Sequence, residues 1–214
     1  YSWIGSVHSR AFGWIDIAVL GLFVPSDLIG IYSVSWTIGT FFLTFGSSIR
    51  SAIFPEVSNL SAAEGRKQAA PVVQDALAFS GLIVIPGLVG AVLLGRQILL
   101  IYGPEFAVGT AVLPLLVGSN LAESYRQQFT GTLGAINRPD YTFRISAVFI
   151  ATNIILNLVL VVTLGWVGAA VATALSAAIA TALGYYYLSR EISISVPLQE
   201  IAKQCFAAAV MGVI

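Results

Sequence analysis

Between Arg144 and Arg190 the chain runs for 45 residues, 145 to 189, without one formal charge. A helix crossing a bilayer needs about 20 apolar residues, because each adds about 1.5 Å across a core about 30 Å thick. The charge-free stretch therefore holds two spans, which meet at Leu164-Gly165-Trp166. The remainder of the chain agrees. Asp, Glu, Lys and Arg make up 9% of its 214 residues, against about 25% in an average globular chain. Hydrophobic residues make up 57%, and the mean hydropathy is +0.90. That leaves too little polar surface to coat a soluble globule. The expectation is an all-α, polytopic transmembrane bundle of six or seven helices.

The same residues exclude other classes. Ten basic and ten acidic side chains give zero net charge, so there is no basic face for nucleic acid. A lone Cys205 and a lone His8 leave no disulfide framework, no Cys-based zinc site and no histidine cluster for a metal. There is no phosphate-binding glycine loop followed by Lys, and nothing resembles a catalytic set. No catalytic residues, metal or cofactor are expected, and the chain reads as a non-enzyme. It begins at Tyr1 rather than Met and ends inside the apolar run from Cys205 to Ile214, so a longer, transporter-sized protein is expected.

Charges, Gly and Pro divide the chain into spans. The first runs from about Trp3 to Val24 and ends at Pro25-Ser26-Asp27. The second covers about Ile29 to Ile49, and a polar segment from Arg50 to Gln74 follows. In that segment Ser61-Ala62-Ala63-Glu64 has capping-box spacing, which predicts the start of a short surface helix, either a plain linker or a docking element. The third span covers about Ala76 to Gly95, with Pro86-Gly87 in its middle, and the fourth about Phe106 to Ile136, with a kink expected at Pro114. Phe143 to Leu164 and Trp166 to Leu188 form the fifth and sixth, and a seventh begins near Ile201.

Basic residues fall unevenly on this frame. Arg50, Arg66, Lys67, Arg138, Arg144, Arg190 and Lys203 lie on one side, and Arg96 alone lies on the other. A bias of seven to one places the 50–74, 137–144 and 189–203 segments in the cytoplasm and runs the first span from inside to outside. In the sixth span Gly168, Ala172, Ser176, Ala180 and Gly184 recur every four residues, a small-residue groove for close helix packing. Asn153 and Asn157 sit one turn apart in the fifth, as interhelical glue or as the lining of a wet cavity.

The charges inside spans carry the most information, since each costs about 2.5–3.5 kcal/mol at a helix centre. Asp16 lies 11 residues before Asp27 and Arg126 lies 12 before Arg138, so both sit roughly 16–18 Å deep. Glu123 is also near mid-membrane, whereas Arg10 is closer to the cytoplasmic end. At 100° per residue, Ser2, Ser6, Ser9, Arg10, Gly13 and Asp16 share one face of the first span. Ser119, Asn120, Glu123, Arg126, Gln127, Thr130, Gly131 and Gly134 share one face of the fourth, with Gln128 off it. Either Glu123 and Arg126 neutralise each other at i and i+3, or the two stripes border a hydrated cavity. Such a cavity would offer guanidinium groups to an anionic substrate and carboxylates to a cation or proton.

Several stretches, in order, resemble the carboxy-terminal half of the polysaccharide and oligosaccharide flippases of the multidrug/oligosaccharidyl-lipid/polysaccharide (MOP) exporter superfamily. Asp16-Ile17-Ala18-Val19-Leu20-Gly21 followed by Ile29-Gly30-Ile31-Tyr32-Ser33 resembles the family's seventh span and the start of its eighth. Phe54-Pro55-Glu56-Val57-Ser58-Asn59-Leu60 resembles its Pro-x-x-Ser-x-Leu signature. The run from Ile98 to Phe106 resembles the loop before its tenth span, and Asn153 to Leu158 with Gly165 to Thr173 its eleventh and twelfth. The likeness covers about residues 10 to 188. It implies the second lobe of a MATE-like, two-lobe transporter over 1–188, with 189–214 a cytoplasmic loop and a further helix that suggests a fourteen-span variant.

The resemblance also implies alternating-access translocation of a polyprenyl-linked glycan in the cell membrane. Arg10 and Arg126 would hold the anionic head group. Asp16, Glu123, Gln127, Asn153 and Asn157 would serve the coupling ion, H+ or Na+, or line the cavity. Membrane lipids and other glycan-assembly proteins are the expected partners. A cation-coupled multidrug exporter of the same superfamily and a non-transporting scaffold in envelope glycan assembly are the alternatives. A drug exporter calls for acidic residues without arginines, and a scaffold calls for dry, self-satisfied stripes.

Overall fold

The computed structural model describes residues 15–212, and every regular element among them is helical. They are α1 (15–23), α2 (Ser26–Ala63), α3 (Ala70–Leu100), α4 (Val112–Ala135), α5 (Pro139–Leu164), α6 (Trp166–Glu191) and α7 (Leu198–Met211). Short 3-10 turns at Arg66–Ala69 and Pro104–Ala111 lead into α3 and α4. Five of the described segments are long and apolar enough to cross a membrane: Ser26–Ala63, Arg66–Leu100, Pro104–Ala135, Pro139–Leu164 and Trp166–Glu191. The protein is a multi-pass, all-α membrane protein.

Three expectations are corrected. The second span does not stop at Ile49, because α2 continues through Arg50 to Ala63. Helix formation is cooperative once nucleated, and Val57 is drawn into the core against Leu133 and Ile136 of the α4 end. Ser61 and Glu64 consequently sit at the end of α2 rather than capping a new helix, and the chain turns at Gly65, whose φ of 94° favours glycine. The fourth span changes conformation at Ala111–Val112 rather than kinking at Pro114. Pro114 falls in the first turn of α4, where a backbone N–H has no intrahelical acceptor to lose.

α4 is the central helix, packed by α2, α3 and α6, while α5 lies along α6 and α7 along α3. Gln204 of α7 donates through Nε2 to the Ala78 carbonyl of α3, 2.8 Å away. Large apolar side chains such as Phe41, Phe79, Leu94, Ile155 and Val162 point outward, as expected of helices solvated by lipid.

The small-residue groove of α6 is buried along its whole length. It serves two neighbours. A Cβ at Gly168 would overlap the Leu160 carbonyl of α5, and one at Gly184 would come within 3.2 Å of Phe129 of α4. Gly168→Val should therefore cost about 1–3 kcal/mol through overpacking against a rigid backbone. The check is a lowered melting midpoint of the full-length protein in detergent, and an unchanged midpoint would deny the close approach.

At one end of the bundle Glu191 accepts a hydrogen bond from Arg66 Nη1 at 2.5 Å and forms an ion pair with Arg138, whose Nε is 3.0 Å away. Tyr141 stacks on Tyr187 with ring centroids 4.5 Å apart, and Arg138 and Arg144 lie over Tyr141. The α2–α3 connection with Arg66, the α4–α5 connection with Arg138 and the end of α6 with Glu191 thus meet at this end.

Candidate functional site: two buried polar centres

The first centre is built around Asp16. Its carboxylate is fully buried and accepts three hydrogen bonds: from Tyr32 Oη at 2.5 Å, Thr173 Oγ1 at 2.6 Å and Asn157 Nδ2 at 2.8 Å. Asn153 donates through Nδ2 to Thr173 Oγ1 at 3.1 Å, and Asn157 Nδ2 also reaches the Asn153 carbonyl at 3.1 Å. The five residues come from α1, α2, α5 and α6. Helix geometry explains the register: Asn153 and Asn157, four apart, present one face of α5 to the α6 groove in which Thr173 lies.

Among the described residues, all of Asp16's hydrogen-bond donors are neutral. A single negative charge held this way, away from water, calls for a proton or a small cation to supply the missing positive charge. The side-chain oxygens Oδ1 of Asn153 and Oδ1 of Asn157 are buried without hydrogen-bond partners in the described structure. Together with the Asp16 carboxylate and Thr173 Oγ1 they form a set of hard oxygen donors, the chemistry that suits such a cation.

The second centre is on α4. Arg126 donates to Glu123 in a fork, Nε to Oε2 at 2.6 Å and Nη2 to Oε1 at 2.5 Å, and both residues are 4% exposed. Gln127 donates through Nε2 to Glu123 Oε1 at 3.3 Å, while its own Oε1 is buried without a partner among the described residues. Thr130 Oγ1 caps the Arg126 carbonyl at 3.0 Å. The i, i+3 pairing read from the sequence is thus present, as a bidentate fork, whose fixed geometry strengthens it beyond a point-charge contact.

The structure therefore sorts the nominated residues into two groups. Asp16, Asn153 and Asn157 meet in one centre, and Glu123, Arg126 and Gln127 in the other, with no hydrogen bond between the groups among the described residues. Arg10 lies outside the described residues, as do Ser2, Ser6, Ser9 and Gly13.

Sequence reasoning missed Tyr32 and Thr173, single polar groups on otherwise apolar or small-residue faces. It also missed that Asn120 begins a second polar row on α4, continued by Ser124, Gln128 and Thr132, all buried and four apart. That row packs on α2, where a Cβ at Gly39 would come within 2.7 Å of Asn120 Nδ2 and one at Gly46 would meet Ser124. Gln128 Nε2 donates to the Gly46 carbonyl at 2.9 Å. The four-residue period and the Gly39/Gly46 spacing of seven were the signals available for it.

A family model described as lipid II flippase MurJ matches residues 19–214. The chain belongs to the MurJ flippase family. The flippase resemblance carried by the span motifs is thereby upheld. The MurJ-family chain is 36% identical over its whole length to a probable flippase AglR of Haloferax volcanii. It is 33% identical over 94% of its length to a probable low-salt glycan biosynthesis flippase Agl15 of the same organism. It spans about half the length of these curated relatives, 46% and 43% respectively. Its fold is similar to a solved lipid II flippase MurJ in an inward closed conformation. The TM-score is 0.83 at 17% identity, covering 97% of this chain and 44% of that one.

Proposed function

We propose that this MurJ-family chain forms the carboxy-terminal lobe of a flippase that moves a polyprenyl-linked glycan across the cell membrane by alternating access. The observation that carries the reading is the likeness of the whole of this chain to about half of the probable flippase AglR, joined to two charged centres buried among helices long and apolar enough to cross a membrane. Charge at mid-membrane is retained at a cost of several kcal/mol only where pairing or function compensates it.

In this reading the α4 centre serves the anionic head group. Arg126, with Arg10, meets phosphate oxygens, and Glu123 holds the guanidinium until substrate arrives. Bidentate guanidinium geometry matches phosphate as well as carboxylate, so substrate and Glu123 compete for the same fork. Gln127, with its unpartnered Oε1, offers an acceptor to a sugar hydroxyl. The Asp16 centre takes the coupling ion, H+ or Na+, with Asn153, Asn157 and Thr173 as neutral oxygen ligands. Because Asp16 and its partners lie on four helices, occupancy changes how those helices are held together, which is the coupling a transporter needs.

Residues 1–188 make up the six-helix lobe and 189–214 a cytoplasmic connection and a further span. The end of the bundle carrying Arg66, Arg138, Arg144, Arg190 and Glu191 faces the cytoplasm, following the positive-inside rule. Other glycan-assembly proteins work beside it. The test is reconstitution of the full-length protein into vesicles with a fluorescent polyprenyl-diphosphate oligosaccharide in the inner leaflet. Protein-dependent appearance of the sugar at the outer surface is expected, and a folded protein that leaves it on the inside defeats the proposal.

A further inference from the structure

Arg50 is the one formal charge between Asp27 and Glu56. It stands within α2, not in a loop, and 13 further helical residues follow it to Ala63. Counted from Ser26 it lies 24 residues along the helix, roughly 36 Å at about 1.5 Å each, so it stands where the apolar core gives way to the interface.

Its side chain runs across α4. A Cβ at Gly131 would come within 2.7 Å of Arg50 Cγ and 2.9 Å of Cδ, so the stem lies flat on the bare backbone there. Gly131 follows Arg126 by five residues, roughly 7.5 Å along the axis toward the α4–α5 turn. It belongs to the same polar face as Arg126, Gln127 and Thr130. Around α2, Gly46 faces α4; Arg50 lies about 40° to one side of it and Phe42, whose ring packs on Gly87 of α3, about 40° to the other. Arg50 therefore leans to the α4 polar face and away from the α3 side.

The two arginines of this face differ in how their charge is compensated. Arg126 is held in a bidentate fork by Glu123. Arg50 is exposed and has no ion pair or side-chain hydrogen bond among the described residues. An anion approaching from the interface meets the exposed, uncompensated guanidinium of Arg50 before the buried, compensated one of Arg126. We propose that Arg50 is the outer anion-binding residue of the α4 face, which takes phosphate oxygens of the lipid-linked head group before they reach Arg126. This rests on the flippase reading above and names the residue that admits the substrate. A charge-assisted guanidinium–phosphate contact of about 1.5–3 kcal/mol corresponds to roughly 10- to 100-fold in affinity.

The experiment measures binding of polyprenyl diphosphate and, separately, of inorganic diphosphate to the full-length protein in nanodiscs. It compares wild type, Arg50→Ala, Arg50→Lys and Lys67→Ala. Lys67 is an exposed cation of the α2–α3 turn and controls for general surface charge. Expected is a loss of roughly 10-fold or more in polyprenyl diphosphate affinity for Arg50→Ala, a smaller loss for Arg50→Lys and none for Lys67→Ala. Equal binding by wild type and Arg50→Ala overturns the Arg50 site and leaves the flippase reading standing. Equal losses from Arg50→Ala and Lys67→Ala also overturn it, since the effect is then unspecific charge. Arg50-dependent binding of inorganic diphosphate alone keeps the anion site and defeats the lipid-linked substrate. A wild type that binds neither probe overturns both.

Discussion

Asp16→Asn in the full-length flippase is expected to abolish ion-dependent transport while leaving the protein folded. Asn keeps the shape of the carboxylate and one acceptor oxygen, which in the place of Oδ2 still serves both Tyr32 and Thr173, but the negative charge that would bind a proton or Na+ is gone. Asp16→Ala differs instructively. It removes the acceptor of the Tyr32 hydroxyl, the Thr173 hydroxyl and one N–H of the Asn157 amide, which donate to Asp16 over 2.5, 2.6 and 2.8 Å. Each buried donor left unsatisfied costs about 1–3 kcal/mol, so Asp16→Ala should also lower the melting midpoint by several degrees. The coupling role has its own readout. If Na+ binds here, added Na+ raises the midpoint of wild type by mass action, and Asp16→Asn removes that rise. Wild-type transport by Asp16→Asn, with ion dependence intact, would falsify the coupling assignment.

Arg126→Ala is expected to stop glycan translocation. Removing one partner of a buried ion pair leaves the other uncompensated, at about 3–5 kcal/mol, so the single variant is also destabilised. A double Glu123→Gln, Arg126→Gln variant separates the two effects, because it removes both charges and keeps hydrogen-bonding shape. If Arg126 serves only to neutralise Glu123, the double variant transports normally. If it meets phosphate oxygens, the double variant folds and fails to transport, and Arg126→Lys keeps partial activity, since Lys supplies charge without the planar fork. Labelling of E123C and T130C by a water-soluble maleimide reads the same question physically: a dry interface leaves both unmodified.

The small-residue period of α6 and the paired asparagines of α5 were legible because a helix repeats every 3.6 residues. Four-residue spacing in one span therefore announces one face. The Glu123–Arg126 fork was legible for the same reason, since i and i+3 are neighbours on a helix whatever surrounds it. Tyr32 and Thr173 were not, because neither repeats. Each is one polar atom whose importance depends on a carboxylate 16 and 157 residues away in sequence. The length of α2 was also hidden. Polar residues after Ile49 read as a loop, yet helix propagation and the burial of Val57 against α4 outweighed that local signal.

From its sequence alone this chain had to be a polytopic helical membrane protein with an uneven charge distribution and a flippase-like order of motifs. Hydropathy, charge bias and helical period are local quantities, and lipid leaves helices and closed barrels as the structures that satisfy a backbone across the bilayer. Only the tertiary structure decided which partners Asp16 takes, namely Tyr32, Thr173 and Asn157, and that Arg50 is laid across Gly131. The reason is physical. A buried charge takes whichever partner the packed helices bring within about 3 Å, and that partner is chosen by contacts between helices far apart in the chain.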